Sequence, residues 1–431
     1  MKLRISLLTA LSLFTVFLIP VPLVFAQVTY NVTDLGTLGG TFAQPNTLNN
    51  HGQVVGISSG PDDAFFHGFF WENGNMIDLG TLGGPVSVGN GINNSGEVVV
   101  GADTDLSGAL PNTICATELI CRMFIWKDGI KVPDLGTLPG GTDAGTYSFL
   151  SFGFATSLIN NSHRAVGTAD LPMVDPNNPP FAVFHAFLWD KGVLTDLGTL
   201  GGDNSEATAI NDPGEVIGTS AISSTPDPEL GFVLSHGFLW RKGQMTDLGA
   251  LGGILSWANG INNQSQVVGV ILTADFHIES FLWENGVMTE LPPFAGDEES
   301  AASGINNGGQ VVGTSGTGGP VRAVLWENGV AVDLNSRIPA DSGWLLEWAG
   351  SINARRQIAG VGIHNGETRA FLLTPAAGNS NVAQSSATVA PAIGGPVGPP
   401  VSNAVRFLPG WNWSQVRGAG RRSQVRGSSV P

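Results

Sequence analysis

The stretch from His185 to Gly218 decides the fold of this chain. Residues 185–202 read His-Ala-Phe-Leu-Trp-Asp-Lys-Gly-Val-Leu-Thr-Asp-Leu-Gly-Thr-Leu-Gly-Gly, and residues 207–218 read Ala-Thr-Ala-Ile-Asn-Asp-Pro-Gly-Glu-Val-Ile-Gly. Versions of both phrases recur along the chain, which indicates a repeat architecture. The Ile-Asn phrase is centred on Asn49, Asn93, Asn160, Asn211, Asn262, Asn306 and Asn353, and the aromatic phrase ends at Trp71, Trp126, Trp189, Trp240, Trp283, Trp326 and, degenerately, Leu373.

The spacing of these copies predicts four-stranded blades. Successive motif asparagines are 44, 67, 51, 51, 44 and 47 residues apart, the range of a propeller blade. Each copy divides into a strand ending at Ile-Asn, then Gln-Val-Val-Gly, then Phe-Leu-Trp, then Met-Thr-Asp-Leu. Asn-Asn-x-Gly and Glu-Asn-Gly supply hairpin turns between strands, because Asn and Gly tolerate positive φ.

The two ends of the repeat region predict that the sheets close into a ring. Residues 30–35, Tyr-Asn-Val-Thr-Asp-Leu, match a fourth strand, whereas the last copy stops after its third strand at residues 370–374. We therefore expect residues 27–375 to form an all-β, seven-bladed β-propeller in which the first strand completes the last blade. Closure removes exposed sheet edges. The small residues before most motif asparagines fit a crowded innermost strand.

Residues 1–26 have the pattern of a secretory signal peptide. A positive start is followed by an apolar run that ends at Val24-Phe25-Ala26, as in cleaved signals. An uncleaved anchor is the alternative, and Pro20 and Pro22 favour cleavage. We expect a secreted or extracellular protein, with periplasmic or surface-bound locations as alternatives, and no membrane span after cleavage. Residues 376–431 are rich in Ala, Gly, Ser and Pro, which predicts a disordered tail.

Charge distribution restricts the classes of partner. Residues 27–378 carry 12 basic and 35 acidic residues, a net charge of about −23. Such a field repels nucleic acid and suits cations or neutral polymers such as polysaccharide. Solubility of a secreted protein explains the same charge. We expect a monomer whose partner is an extracellular polysaccharide or a cell-surface component.

The repeated phrases resemble the bacterial extracellular HAF repeats. That family carries a His-Ala-Phe-Leu-Trp phrase beside Asp-Leu-Gly-Thr-Leu-Gly-Gly, and residues 185–189 are the nearest copy here. The resemblance covers residues 30–375. It implies a secreted repeat protein of unknown function without established catalytic residues. The chain lacks the Pro-Glu-Pro sorting segment with which some such proteins end.

Variable loops are the predicted ligand-binding surface, because binding residues concentrate on loops held by a rigid scaffold. Acidic and aromatic side chains in these stretches suit a sugar or a cation, although solvation explains many of the charges. The candidate residues are Asp62, Asp63, Asp227, Glu229, Asp275, Trp257 and Trp344.

Metal and disulfide chemistry have one candidate each. Asp103, Asp105 and Ser107 resemble the first half of a calcium loop, but Ile114 occupies the position of its last carboxylate. An ordinary turn is the alternative, and no other cofactor is expected. Cys115 and Cys121 are the only cysteines, and in a secreted chain a disulfide is favoured over free thiols.

The catalytic groups expected of an enzyme are scarce in this sequence. The innermost strands contribute few acids, with Glu206 and Glu347 as the exceptions. The sequence therefore predicts a non-catalytic binding or surface-display module. The alternative is a propeller-type glycan hydrolase or lyase with carboxylates at the channel mouth.

Overall fold

The structure is a computed structural model that describes residues 28–107, 119–132, 134–145, 157–317 and 321–376. Strands dominate, and the only helical segments in these ranges are two 3-10 turns at Pro61–Asp63 and Leu334–Arg337. Within the same ranges, no helix has the length and apolarity needed to cross a membrane. The signal segment and the tail lie outside the described residues.

The described strands form antiparallel units of four, called sheets 1 to 7 in chain order. Sheet 1 contains β2 (Ala43–Leu48), β3 (Val54–Ser59), β4 (Phe66–Glu72) and β5 (Asn75–Asp78), and sheet 2 contains β6 (Gly83–Ile92), β7 (Val98–Ser107), β8 (Leu119–Lys127) and β9 (Ile130–Val132). Sheet 3 contains β10 (Ala144–Gly145), β11 (Arg164–Val174), β12 (Ala182–Asp190) and β13 (Val193–Asp196), and sheet 4 contains β14 (Ser205–Ile210), β15 (Val216–Ala221), β16 (Ser235–Arg241) and β17 (Gln244–Asp247).

The remaining sheets follow the same plan. Sheet 5 contains β18 (Leu255–Ile261), β19 (Val267–Leu272), β20 (Ile278–Glu284) and β21 (Val287–Leu291), and sheet 6 contains β22 (Glu299–Ile305), β23 (Val311–Gly316), β24 (Arg322–Glu327) and β25 (Val330–Asp333). Sheet 7 contains β26 (Trp344–Ile352), β27 (Ile358–His364), β28 (Glu367–Pro375) and β1 (Tyr30–Asp34). The predictions of an all-β chain and of four-stranded units are confirmed.

The amino-terminal strand and sheet 1 are linked to the last sheet in three ways. β1 pairs with β28 over five residues, from Tyr30 opposite Pro375 to Asp34 opposite Phe371. Trp71 and Phe69 of sheet 1 share a hydrophobic cluster with Leu372 of sheet 7. The third link is a hydrogen bond between motif asparagines, described next.

The seven motif asparagines are buried and are bonded from one sheet to the next. Each side-chain Nδ2 donates to the backbone carbonyl of the next motif asparagine over 2.8–3.2 Å. The last of these bonds runs from Asn353 to the carbonyl of Asn49, 304 residues away in sequence. In six of the sheets Nδ2 also meets a Gln or Glu four residues later. The Asn-x-x-x-Gln/Glu spacing of the repeat therefore satisfies a buried amide.

A second set of bonds runs one residue later, at the surface. The side-chain oxygen of residue 50, 94, 161, 212, 263 or 307 accepts the backbone N–H of the corresponding residue in the preceding sheet, over 2.8–3.0 Å. Sheet 7 carries Ala354 at this position, so its side chain provides no acceptor for sheet 6. Side chains of the repeat, rather than a continuous backbone ladder, thus join neighbouring sheets.

Neighbouring innermost strands explain the small residues that precede the motif asparagines. A Cβ on Gly260 would lie 3.1 Å from Cα of Gly304, and one on Gly304 would lie 2.9 Å from the carbonyl oxygen of Gly350. The crowding predicted around the axis is therefore contact between adjacent inner strands.

A bulge in the inner strands explains the glycine of Gln-Val-Val-Gly. Six inner strands shift register three residues before the motif asparagine, as a β-bulge does. A Cβ on Gly218 would lie 1.8 Å from the carbonyl oxygen of Glu206, across from the bulge. Only glycine fits there.

We expect Asn262→Ala to lower the free energy of unfolding by about 2–4 kcal/mol, because several buried hydrogen bonds are lost together. Asn263→Ala is the matched control at the next, exposed position, where sheet 7 itself carries alanine, and it should cost under about 1 kcal/mol. Urea unfolding followed by tryptophan fluorescence measures both. Equal losses in the two variants would contradict a role for the buried bonds.

Deletion of residues 28–35 should lower the free energy of unfolding by about 3–6 kcal/mol. It removes the buried side chains of Tyr30 and Leu35, each contributing about 1.5–3 kcal/mol, and leaves β28 as an open edge. Asn31→Ala, an exposed change in the same strand, is the control and should be near neutral. A deletion no more destabilising than this control would refute the dependence on β1.

Candidate functional site

The two ends of the strands carry different kinds of connection. The Asn-Asn and Asn-Gly hairpins lie at one end, called the tight-turn face, where the motif asparagines of all seven sheets line one pocket. The variable stretches and the Thr-Leu-Gly-Gly passages lie at the other end, called the loop face.

Thr-Leu-Gly-Gly passages have a structural role. Thr37 accepts from the backbone N–H of Gly39 and donates to the carbonyl of Gly40, while the N–H of Leu38 donates to Ser58 Oγ over 2.9 Å. Thr199 and Leu200 repeat these contacts. This agrees with the interpretation of the passages as links between sheets.

Histidines of the third strands also serve the scaffold. His67, His185 and His236 each contact the aspartate of the neighbouring fourth strand through Nδ1 over 2.9–3.0 Å. For Asp196, burial acts to raise the carboxyl pKa, but hydrogen bonds from His185 and from the Gly198 N–H outweigh it and hold the pKa below its usual value.

The candidate acids of the loop face are partly engaged by their own loops. Asp63 accepts from the backbone and hydroxyl of Thr41 over 2.9 and 2.8 Å. Hydrogen bonds from Ser59 and then from Thr41 lower its pKa. Asp62 is exposed in the same 3-10 turn.

The remaining loop acids lie in other sheets. Asp227 accepts the N–H groups of Glu229 and Leu230 over 2.9 Å, forming a turn. Asp275 accepts from the hydroxyl of Thr273, which lowers its pKa. Among the described residues, no observed pocket contains these acids together with Asp62 and Asp63.

The two candidate tryptophans belong to strands rather than to loops, which corrects the sequence interpretation. Trp257 lies within β18, an innermost strand. Trp344 begins β26 and stacks on His364 with ring centroids 4.5 Å apart and planes 6° apart. Both tryptophans were assigned to loops from the sequence because β18 and β26 begin earlier than the repeat motif suggests.

The calcium prediction does not fit the described residues. Asp103, Asp105 and Ser107 lie in β7, where extended backbone places alternate residues roughly 6–7 Å apart instead of winding them around one ion. No cluster of three or more His, Cys, Asp or Glu suited to a metal occurs in the described ranges. Cys121 is buried and disulfide-bonded, whereas Cys115 lies outside the described residues, so the predicted pairing stays a prediction.

An axial pocket opens on the tight-turn face. It has a volume of about 150 Å³ and is lined by the motif asparagines, by the residues after them and by the apolar residues before them. Asp212 is the one carboxylate among these lining residues. It accepts from the Asn161 backbone and from the amides of Asn161 and Asn263 over 2.9–3.1 Å.

A larger groove of about 480 Å³ lies between sheets 1 and 2 on the same face. Phe70 and Trp126 form its aromatic part, with ring centroids 5.2 Å apart and planes inclined by 38°. Polar groups and glycine complete the lining: His51, Gln53, Glu72, Asn94, Ser95, Gly96, Asp128 and Gly129, with Ile77. Each of the two residues is only 6% exposed, so a small aromatic area lies beside the hydrogen-bonding groups, which suits a ligand with both apolar and polar faces.

Sequence reasoning missed this groove. The tryptophans were interpreted as filling between blades, and Trp71 does pack that way against sheet 7. Three residues after the motif asparagine this groove has Gly96, a glycine that three other copies of the repeat share, whereas the remaining copies carry His163, Ser265 and Arg356. No sequence signal therefore singles out this groove.

Glu206 is an acid of the innermost strands. It lies in β14 opposite Thr219. Although its side chain keeps some accessible surface, burial among the inner strands raises its pKa to about 7. A carboxyl of this kind is protonated at mildly acidic pH.

Comparisons with known proteins assign no activity. No family model and no curated protein matches the chain. Among solved structures, it is similar to a puromycin-hydrolyzing peptidase of Mycobacterium tuberculosis (12% identity, TM-score 0.47, 80% of this chain and 54% of that chain). It is also similar to an acylaminoacyl peptidase of Pyrococcus horikoshii (12%, 0.44, 76% and 52%) and to YCF48 bound to D1 peptide (12%, 0.42, 82% and 97%). The chain spans about half the length of the two peptidases.

Glu206→Gln should stabilise the protein in a pH-dependent way. The folded-state pKa of about 7 exceeds the ordinary 4.5, so wild type loses stability as pH rises through this window, because the unfolded state ionises first. The variant should gain about 2–3 kcal/mol over wild type at pH 8 and nothing at pH 4. Urea unfolding across this range measures the difference, with exposed Glu229→Gln as control. A pH-independent gain would contradict this account of Glu206.

Proposed function

We propose that this protein is a secreted, non-catalytic binding module that binds extracellular polysaccharide in the groove between sheets 1 and 2. The groove itself carries the proposal. Sugars present apolar C–H faces that pack on aromatic rings and hydroxyl groups that bond to amides and carboxylates. Phe70 and Trp126 supply the rings, and Gln53, Glu72, Asn94 and Asp128 supply the polar groups.

The proposal includes a rigid scaffold, a closed propeller of seven blades. Pairing of β1 with β28 supports closure, as does the hydrogen bond from Asn353 to Asn49. A closed ring has no free sheet edge and holds the groove walls at constant separation. The phrases at residues 185–202 support membership of the HAF repeats, and the apolar run at residues 5–26 supports secretion.

A glycan hydrolase or lyase is the second candidate. Glycosidic hydrolysis ordinarily requires two carboxyl groups on either side of the bond. Among the residues that line the axial pocket, Asp212 is the one carboxylate, and three hydrogen bonds hold it. Binding is the better supported of the two.

Gly96→Arg should abolish polysaccharide binding by filling the groove. Arg356 occupies the same repeat position at φ 62°, so arginine is compatible with the backbone there. We expect the affinity for a bound glycan to fall at least tenfold, measured as loss of the ligand-induced rise in melting temperature across a glycan panel.

Gly309→Arg is the matched control for this variant. Gly309 has φ 73° against 76° for Gly96, and for both the nearest atom to an added Cβ is a glutamine Oε1 at 3.8 Å. Retained binding in Gly96→Arg would refute the groove as the site. Release of shortened oligosaccharides during the same incubations would favour the enzyme.

A further inference from the structure

The grooves between successive sheets are filled by different residues at one repeat position. The residue three after the motif asparagine always has positive φ. In three sheets its side chain reaches back into the preceding sheet. His163 Nδ1 meets Glu97 over 2.8 Å, Ser265 Oγ donates to Glu215 over 2.7 Å, and Arg356 donates to Gln310 over 3.0 Å and to Glu327.

Arg356 and Glu327 show how the groove between sheets 6 and 7 is filled. Glu327 directly follows the third-strand tryptophan of sheet 6, and Glu72 occupies the same position in sheet 1. The carboxylate of Glu327 therefore receives a guanidinium from the next sheet, whereas sheet 2 presents Gly96 to Glu72. Glu72 accepts only from Gln53 Nε2, over 2.8 Å, among the described residues.

The groove between sheets 1 and 2 thus has a carboxylate without an ion-pair partner, and His51 is the one basic side chain in its lining. Asp128 adds a second carboxylate, and no lysine or arginine is among the lining residues. In sheet 3 the equivalent acid, Asp190, pairs with Arg164, whereas in sheet 5 the equivalent Glu284, like Glu72, accepts from a glutamine.

The indole of Trp126 is the second feature of the groove. The residue is only 6% exposed, yet its indole N–H has no hydrogen-bond partner among the described residues, while it borders the groove. In the pseudo-equivalent groove between sheets 5 and 6, Trp326 Nε1 instead donates to the carbonyl of Pro292 over 2.7 Å.

We propose that this groove selects saccharides that carry a free, protonated amine, such as oligomers of β-linked glucosamine. The ammonium would take the place that Arg356 takes in the groove between sheets 6 and 7, beside Glu72 and Asp128. The sugar ring packs on Phe70 and Trp126, and its hydroxyl groups accept from the indole N–H. This inference rests on the proposed polysaccharide site and names its ligand.

Isothermal titration with three β-1,4-linked oligosaccharides of equal length tests the selection. Glucosamine, N-acetylglucosamine and glucose oligomers share the linkage and the apolar ring faces, but only the first carries a charge. We expect the glucosamine oligomer to bind about tenfold more tightly than the others below the pKa of its amine, with this preference lost when the amine is deprotonated.

Two variants separate a specific ion pair from general attraction to an acidic protein. Glu72→Gln keeps a carbonyl oxygen to accept from Gln53 but removes the charge, and it should lower affinity for the glucosamine oligomer about threefold to tenfold while leaving the neutral oligomers unaffected. Glu284→Gln changes the same repeat position in sheet 5, where Gln266 makes the equivalent bond over 3.1 Å. This control should bind as wild type does.

Each outcome decides the inference. Equal affinity for the three oligomers, abolished by Gly96→Arg, would overturn the preference for an amine and leave the polysaccharide site in place. If Glu72→Gln and Glu284→Gln lose the same affinity for the glucosamine oligomer, the preference arises from long-range attraction to an acidic protein and not from this groove. That result would also overturn the inference. Failure of all three to bind would count against both the selection and the proposed function.

Discussion

The buried amide of the motif asparagine is the interaction on which the rest of the structure depends. Each sheet of four short strands has one inner edge that its own chain cannot pair. The asparagine crosses from that edge to the neighbouring sheet and bonds a carbonyl there, while its oxygen holds the hairpin that follows. A buried amide costs free energy unless all its hydrogen bonds are made. The repeat therefore keeps a glutamine or glutamate four residues later in most of its copies.

The connections between neighbouring sheets follow from these bonds. Each asparagine reaches the next sheet, so side chains link neighbouring sheets, a parallel β-bridge adds a backbone link between sheets 1 and 2, and β1 supplies the fourth strand of sheet 7. The bulge in each inner strand and the glycine across from it are consequences of the same close approach. The bulge and the glycine, which look independent of the motif asparagine in the sequence, therefore result from the same close packing of neighbouring sheets.

Departures from the repeat are where we propose that a ligand binds. Arg356 reaches into the groove between sheets 6 and 7, whereas Gly96 leaves the groove between sheets 1 and 2 without a side chain at this position, bordered by a largely buried aromatic pair and by Glu72. Neither change disturbs the scaffold, since the backbone there has positive φ whether the residue is glycine, histidine or arginine. The scaffold therefore tolerates variation at this position without a change of fold.

The repeat by itself was enough to predict the all-β class, the four strands of each unit and the place of residues 30–35 beside the last sheet, because periodic turn and strand signals are local. Tertiary structure alone decided the site. The candidate acids of the variable loops are distributed over separate sheets, Trp257 and Trp344 are strand residues, and Asp103 and Asp105 lie on an extended strand. The groove unites Phe70 with Trp126, residues 56 positions apart whose contact exists only after two sheets pack. Local sequence encodes the hydrogen bonds of a single repeat, whereas a binding surface between repeats depends on side chains brought together by packing.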